Sequence, residues 1–312
     1  MNNYTLKKGI GAFLYPEVTI NNYNANLGFL SDGKLNVLYN TDYKGKTILV
    51  TDDGFIGIIG IGDENWVIGF LNLLFASAQF LLEIHGYSIT LGELCYFEYN
   101  EIENNISITF IVFLERNFGY LLRKRKDDWF NKKHRQLITI NEIERLVNFC
   151  KYISDKKDAR LDLVLLFEGY TLSYRGGYTA GYLFGWMIIE TFISKIWKDY
   201  VKSNQSSFDK NNLNTNRLKS YNYIENLSSK NKMSEQVKEL LHSMRDVRNK
   251  IVHEKITVDE KEALKCLKVA KTILWNRIFN PQLPFKYLTK NESNNNIIES
   301  VIMKYLENNL NK

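Results

Sequence analysis

Ser234-Glu235-Gln236-Val237-Lys238-Glu239-Leu240-Leu241-His242-Ser243-Met244-Arg245-Asp246-Val247-Arg248-Asn249-Lys250-Ile251-Val252-His253 is the stretch that decides the class of the C-terminal half. At about 100° per residue, Val237, Leu240, Leu241, Met244, Val247 and Ile251 fall on one stripe, the pattern of an amphipathic helix over 234–254. Ser234 is a suitable N-cap, and Glu235 follows in the first turn, where the helix dipole favours an acid. Arg248 lies in the middle of the apolar stripe, beside Leu241, Met244 and Ile251. A guanidinium there is costly unless it is paired or lines a site.

The preceding long helix, 178–202, carries a matching anomaly. Its stripe is Trp186, Ile189, Ile193, Ile196, Trp197 and Tyr200, and Glu190 sits inside it. Two readings follow. Glu190 and Arg248 form a buried ion pair, or Glu190 orients Arg248 or His253 in a polar pocket. His253 lies five residues after Arg248, about 140° away on an ideal helix, so the two converge only if the helix tightens or ends near Val252, or if a second copy contributes. Thr257-Val258-Asp259-Glu260 has the form of a capping box that starts a new helix at Val258, so His253 falls at or beyond a helix end. A histidine at a helix C-terminus is also, more plainly, a favourable charge.

The rest of the C-terminal half reads as helices at 140–154, 158–174 and 258–278, with another at 295–309 after Pro281 and Pro284. Residues 203–232 are a polar loop with a short helix near Leu218 to Leu227. Upstream the pattern differs. Residues 1–62 read as short strands and turns, with alternation such as Leu35, Val37 and Tyr39. Gly57-Ile58-Ile59-Gly60-Ile61-Gly62 lacks nucleotide-loop spacing and reads as a strand-to-helix turn. A helix spans 64–86. Leu94 to Tyr99 and Ile106 to Leu114, parted by Glu103-Asn104-Asn105, read as a β-hairpin. The expected architecture is an N-terminal α+β domain over 1–135 followed by an all-helical domain over 136–312.

Trp66 to Leu82 is nearly apolar, but Asn72 and Gln79 interrupt it and it lacks a basic flank. A buried core helix is expected rather than a membrane span. Between the domains, Arg123-Lys124-Arg125-Lys126 and Lys132-Lys133-His134-Arg135 flank Trp129 and Phe130, a composition suited to RNA contact, or else to a solvated interdomain segment.

Of the 312 residues, 45% are hydrophobic and 24% charged, which excludes a disordered chain, and the net charge of +6 allows a polyanion partner without demanding one. Cys95, Cys150 and Cys266 are isolated and odd in number, so neither a disulfide framework nor a zinc site is expected. No signal-peptide pattern opens the sequence, and a reducing cytoplasm is the expected setting. His85, His134 and His242 show no carboxylate or cysteine partner at metal or triad spacing. Asp52-Asp53 and Asp127-Asp128 read as solvated turns, and no metal or other cofactor is expected.

Arg248-Asn249-Lys250-Ile251-Val252-His253 and its helical context resemble the HEPN superfamily, whose signature is Arg, four to six residues, then His, often with a polar residue after the Arg. The resemblance covers about residues 140–280. It implies a four-to-five-helix bundle that cuts RNA without metal, the ribose 2′-hydroxyl acting as nucleophile. His253 would be the general acid/base, Arg248 would hold the scissile phosphate, and Asn249 would donate or orient a hydrogen bond. Glu190 would support the pair, and Lys250 and Arg245 would join Arg123, Lys124, Arg125 and Lys126 in contacting RNA. It also implies a homodimer with a composite cleft, in the setting of a toxin or antiviral defence effector with an antitoxin or regulatory partner. The alternative expectation is a bundle of the same kind that dimerises or binds RNA without cleaving it, and a third is a membrane-associated protein anchored by 66–82.

Overall fold

The computed structural model describes residues 6–13, 18–20, 34–52, 54–60, 63–84, 88–91, 94–111, 136–204 and 220–279. The chain divides into two compact units, Met1–Arg160 and Leu161–Lys312. That division falls later than the expected boundary at 135/136, because the first helix after it packs within the N-terminal unit.

The N-terminal unit corrects the α+β expectation. Its strands are β1 (Leu6–Phe13), β2 (Val18–Ile20), β3 (Lys34–Tyr43), β4 (Lys46–Thr51), β5 (Phe55–Ile59), β6 (Cys95–Asn100), β7 (Asn105–Ile111) and β8 (Gln136–Ile138). Six of them close an antiparallel barrel in the order β1-β5-β4-β3-β7-β6. Closure comes from β1, which pairs with β5 on one side and with β6 on the other (Gly9 opposite both Ile59 and Phe97). Full closure leaves no sheet edge to template aggregation. β2 and β8 form a separate parallel pair.

The barrel is filled rather than hollow. Leu35, Val37, Leu49, Phe55, Cys95, Phe97, Tyr99 and Ile106 make its core. Glycines in β1 and β5 make room for the Phe55 and Phe97 rings. A Cβ at Gly57 would stand 2.7 Å from the Phe97 ring, and one at Gly9 would collide with the same ring. The expected hairpin is present as β6 and β7, and its continuation at Val112 and Leu114 lies outside the described residues.

Two helices, α1 (Glu64–Leu82) and α2 (Ile140–Ser154), complete the unit. α1 begins where the glycine run predicts a turn. Gly60 takes a positive φ of 86°, and the Asp63 side chain caps the helix by accepting from the Asn65 amide. α1 is long and apolar enough to cross a membrane, with a mean hydropathy of 1.5, but 61% of that window is buried inside the protein. Asn72, which interrupts the apolar run, bonds the backbone of Ile89 in both directions at 2.6 and 3.0 Å. α2 starts at the Thr139–Glu142 capping box, and its Phe149 stacks on Phe80 of α1.

The second unit is helical. Its elements are α3 (Lys157–Tyr174), which starts at the unit boundary, α4 (Tyr178–Ser203), α5 (Ser220–Ser229), α6 (Glu235–Asn249), a π-helical turn at Lys250–Glu254, and α7 (Glu260–Phe279). These bounds follow the sequence expectations closely, except that α5 and α7 each start two residues late and the helix expected over 234–254 is α-helical only to Asn249. Asp259, not Thr257, is the cap of α7, accepting from the Glu262 amide at 2.9 Å. The expected helix at 295–309 lies outside the described residues.

α4 is the axis of the unit. Trp186, Ile189, Ile193 and Trp197 are buried along it, as the stripe predicts. Small residues let its neighbours come close. A Cβ at Gly185 would press on Cys266 of α7 at 3.1 Å, and one at Gly181 would overlap Ser173 of α3. Asp162 of α3 and Arg277 of α7 form an ion pair with side chains only 11% and 16% exposed.

Candidate functional site

Arg248 and Asn249 close α6, and the next residues leave the α pattern. Ser234 caps the start of α6, its side chain accepting from the Val237 amide at 3.3 Å, and Val237, Leu241 and Met244 carry the buried face. Lys250 to Glu254 then wind as a π-helical turn, which Lys255 ends in the left-handed conformation at φ 57°. A π turn bonds residue i to i+5 and takes more residues per turn than an α-helix. Each step of such a turn advances less than 100°, which narrows the 140° that an ideal α-helix would put between Arg248 and His253, and among the described residues no hydrogen bond joins the two side chains. π-Helical turns are rare, and those inside α-helices are frequent at functional sites.

The Arg248 side chain is half-buried and donates from Nη1 to Asn249 Oδ1 at 3.0 Å. Arg248 and Asn249 are thus one preformed unit. His253 and Lys250 are exposed, as are Val252, at 49%, and Ile256. The segment after the π turn is tethered, since the Val258 amide donates to Thr179 Oγ1 of α4 at 3.3 Å. One turn before Arg248, the buried Tyr182 hydroxyl donates to the Met244 carbonyl at 2.8 Å. Burial pushes that phenol well above its ordinary range.

Glu190 does not join this group. Its carboxylate accepts from Trp186 Nε1 at 3.2 Å, and among the described residues it pairs with neither Arg248 nor His253. The indole of Trp186 is 1% exposed, so its N–H needs an acceptor, and Glu190 one turn later supplies it. That is the physical reason for an acid on the α4 stripe.

A second constellation was missed. His242 does have a carboxylate partner: Glu225 of α5 lies 2.9 Å from its Nε2 and also holds Lys238 at 3.1 Å. The Lys238 ammonium, with a smaller part from the His242 hydrogen bond, draws the Glu225 carboxyl below its usual range. Tyr221 and Arg245 complete the group, with the guanidinium 4.9 Å from the phenol ring centroid. The signal available in the sequence was spacing: Tyr221 and Glu225 are four apart, and Lys238, His242 and Arg245 stand at intervals of four and three.

The remaining candidates separate. Arg123, Lys124, Arg125 and Lys126 lie outside the described residues, as do His85 and His134. Cys95, Cys150 and Cys266 are buried and form no disulfide among the described residues, and burial raises the thiols of Cys150 and Cys266 far above their ordinary value. Among the described residues no group of three or more His, Cys, Asp or Glu side chains gathers as it would round a metal ion.

A family model described as a domain of unknown function, DUF4145, matches residues 193–299. The match takes in the end of α4, α5, α6, the π turn and α7, and so contains Arg245, Arg248, Asn249, Lys250 and His253 but not Glu190. No curated protein and no solved structure matches the chain.

Proposed function

We propose that the C-terminal helical unit is a HEPN-type endoribonuclease that cleaves RNA without a metal ion. The observation that carries this reading is the π turn at Lys250–Glu254, immediately after the bonded Arg248–Asn249 pair. Its winding relieves the angular conflict that a five-residue spacing creates on an α-helix.

In the reaction, the ribose 2′-oxygen attacks the adjacent phosphorus and the bond from phosphorus to the 5′-oxygen breaks. His253 moves the protons, taking one from the 2′-hydroxyl or giving one to the departing 5′-oxygen. Arg248 offsets the charge that builds on the phosphate oxygens, its guanidinium steadied by Asn249. The product is a 2′,3′-cyclic phosphate. One imidazole serves one proton transfer at a time, so a homodimer that brings two His253 side chains together would serve both. Lys250 and Arg245 extend the contact with RNA. Glu190 acts here only by holding Trp186. Buried thiols suit a reducing cytoplasm, and a toxin or defence effector under an antitoxin or regulatory partner is the setting this chemistry fits.

The exposure of His253, with no carboxylate bonded to it among the described residues, favours a second reading in which the bundle binds RNA or dimerises without cutting. One experiment separates the two: purified protein, mixed RNA and EDTA, beside Arg248→Ala and His253→Ala. Cleavage that persists in EDTA and disappears in both variants supports the nuclease. Undiminished cleavage by His253→Ala sinks it, and RNA binding with no cleavage by any form selects the second reading.

A further inference from the structure

The α5–α6 constellation lies outside the Arg248–His253 motif and has a geometry of its own. α6 presents Lys238, His242, Arg245 and Asn249 at spacings of four, three and four, which puts them on one face. From α5, the Tyr221 ring lies 5.1 Å from the His242 imidazole at an interplanar angle of 44°, and the Arg245 guanidinium sits over the same ring. Glu225 anchors His242 and Lys238 from below. Arg245 Nη2 reaches Asp246 at 2.6 Å, while its Nε is buried with no hydrogen-bond partner.

Docking of α5 does not require this tyrosine. Tyr223, Ile224 and Leu227 already bury the apolar face of the helix. Tyr221 is 47% exposed, and its ring is fixed by an imidazole and a guanidinium whose side chains are each 19% exposed. An aromatic held in this way stacks on a base of any identity with little ordering cost, and the arginine beside it adds cation–π attraction. Arg245 stands about 6 Å along the helix axis from Asn249, one turn away on the same face.

We propose that Tyr221, His242 and Arg245 form a stacking subsite that seats a nucleobase of single-stranded RNA beside the Arg248–His253 site. The choice of RNA rests on the nuclease reading above. Glu225 lies against His242 and Asp246 against Arg245, offsetting positive charge at the subsite, so the plane of the base, not a run of phosphates, is what it recognises. Its contribution to affinity therefore depends only weakly on salt.

The test uses the full chain and a fluorescent single-stranded 2′-O-methyl RNA oligonucleotide, whose blocked 2′-oxygen prevents cleavage. Tyr221→Leu, which fills similar space without a π face, is expected to weaken binding about tenfold. Tyr221→Phe is expected to bind as the unmodified protein does, and thermal unfolding of all three forms is compared so that loss of fold is not read as loss of stacking. Unmodified RNA is assayed for cleavage in parallel, with His253→Ala as reference. Weakened binding by Tyr221→Leu with no cleavage by any form supports the subsite and fells the nuclease reading. Cleavage that depends on His253, together with full binding by Tyr221→Leu, overturns the subsite alone. No binding by the unmodified protein overturns the subsite, and if no form cleaves RNA it overturns the nuclease reading as well.

Discussion

The Tyr182 hydroxyl donates to the Met244 backbone carbonyl, tying the start of α4 to the turn of α6 that precedes Arg248. Both groups are buried, so Tyr182→Phe removes a donor that water cannot replace. The Met244 carbonyl keeps its helical environment, which limits the cost to about 1 kcal/mol. Urea unfolding of the two proteins measures it, and an unchanged midpoint would show that the bond contributes nothing.

Glu190 and Trp186 make a second prediction, aimed at role as much as at stability. Glu190→Gln keeps an acceptor for the buried indole N–H and should unfold like the parent protein. Glu190→Leu strands that N–H and should cost about 1–3 kcal/mol. Both should cleave RNA as the parent does at temperatures where they remain folded. Loss of cleavage in a fully folded Glu190→Gln would return this acid to the catalytic group.

The fold was legible where periodicity and capping chemistry agree. The stripe on 178–202, the cap at Ser234 and the apolar run after Trp66 each gave an element close to its observed bounds. Barrel closure was not legible. It rests on pairing between β1 and β6, some ninety residues apart, and β1 shows no alternation because Gly9 and Gly11 leave space for rings supplied by other strands. In the site, the spacing from Arg248 to His253 was readable, but an α-helical wheel could not anticipate a π turn. Glu190 and Arg248 looked like partners because both are charges on buried stripes. A wheel gives direction without distance, and each found a nearer neighbour on its own helix. Glu225 and His242 escaped notice because their contact joins two helices across a turn.

The Asp162–Arg277 pair joins α3 to α7 with little solvent access. Arg277→Met leaves a largely buried carboxylate without its guanidinium and should destabilise the helical unit by about 3 kcal/mol or more. Asp162→Asn with Arg277→Met together should recover part of that loss. A thermal shift no larger than that of an exposed lysine substitution would refute the first statement.

Close helix contact through Gly185 gives a packing prediction. A methyl group there meets Cys266 Sγ and the α7 backbone, which cannot move as a flexible side chain would. Gly185→Ala should cost about 1–3 kcal/mol. Chemical unfolding of Gly185→Ala and of Gly185→Ala with Cys266→Ala checks the cause, since the smaller partner should relieve part of the strain.

The Glu225 contact carries a pH dependence whose sign is fixed. Its folded-state pKa lies below the unfolded one, so the stabilisation it gives is fully present above the ordinary carboxylate range and is lost as pH falls through the lowered value. Comparing thermal unfolding of the parent with that of Glu225→Gln should show a gap at neutral pH that closes in acid. A constant gap across that range would mean that charge is not what holds α5 to α6.

The π turn has a consequence in time as well as in shape. Most of its residues face solvent, so the amides of 250–255 should exchange hydrogen for deuterium well before those of 237–247. A strand bound through Asn249 and His253 would slow those same amides. The helix end at the centre of the motif would then serve as a gauge of its own occupancy, readable without any cleavage taking place.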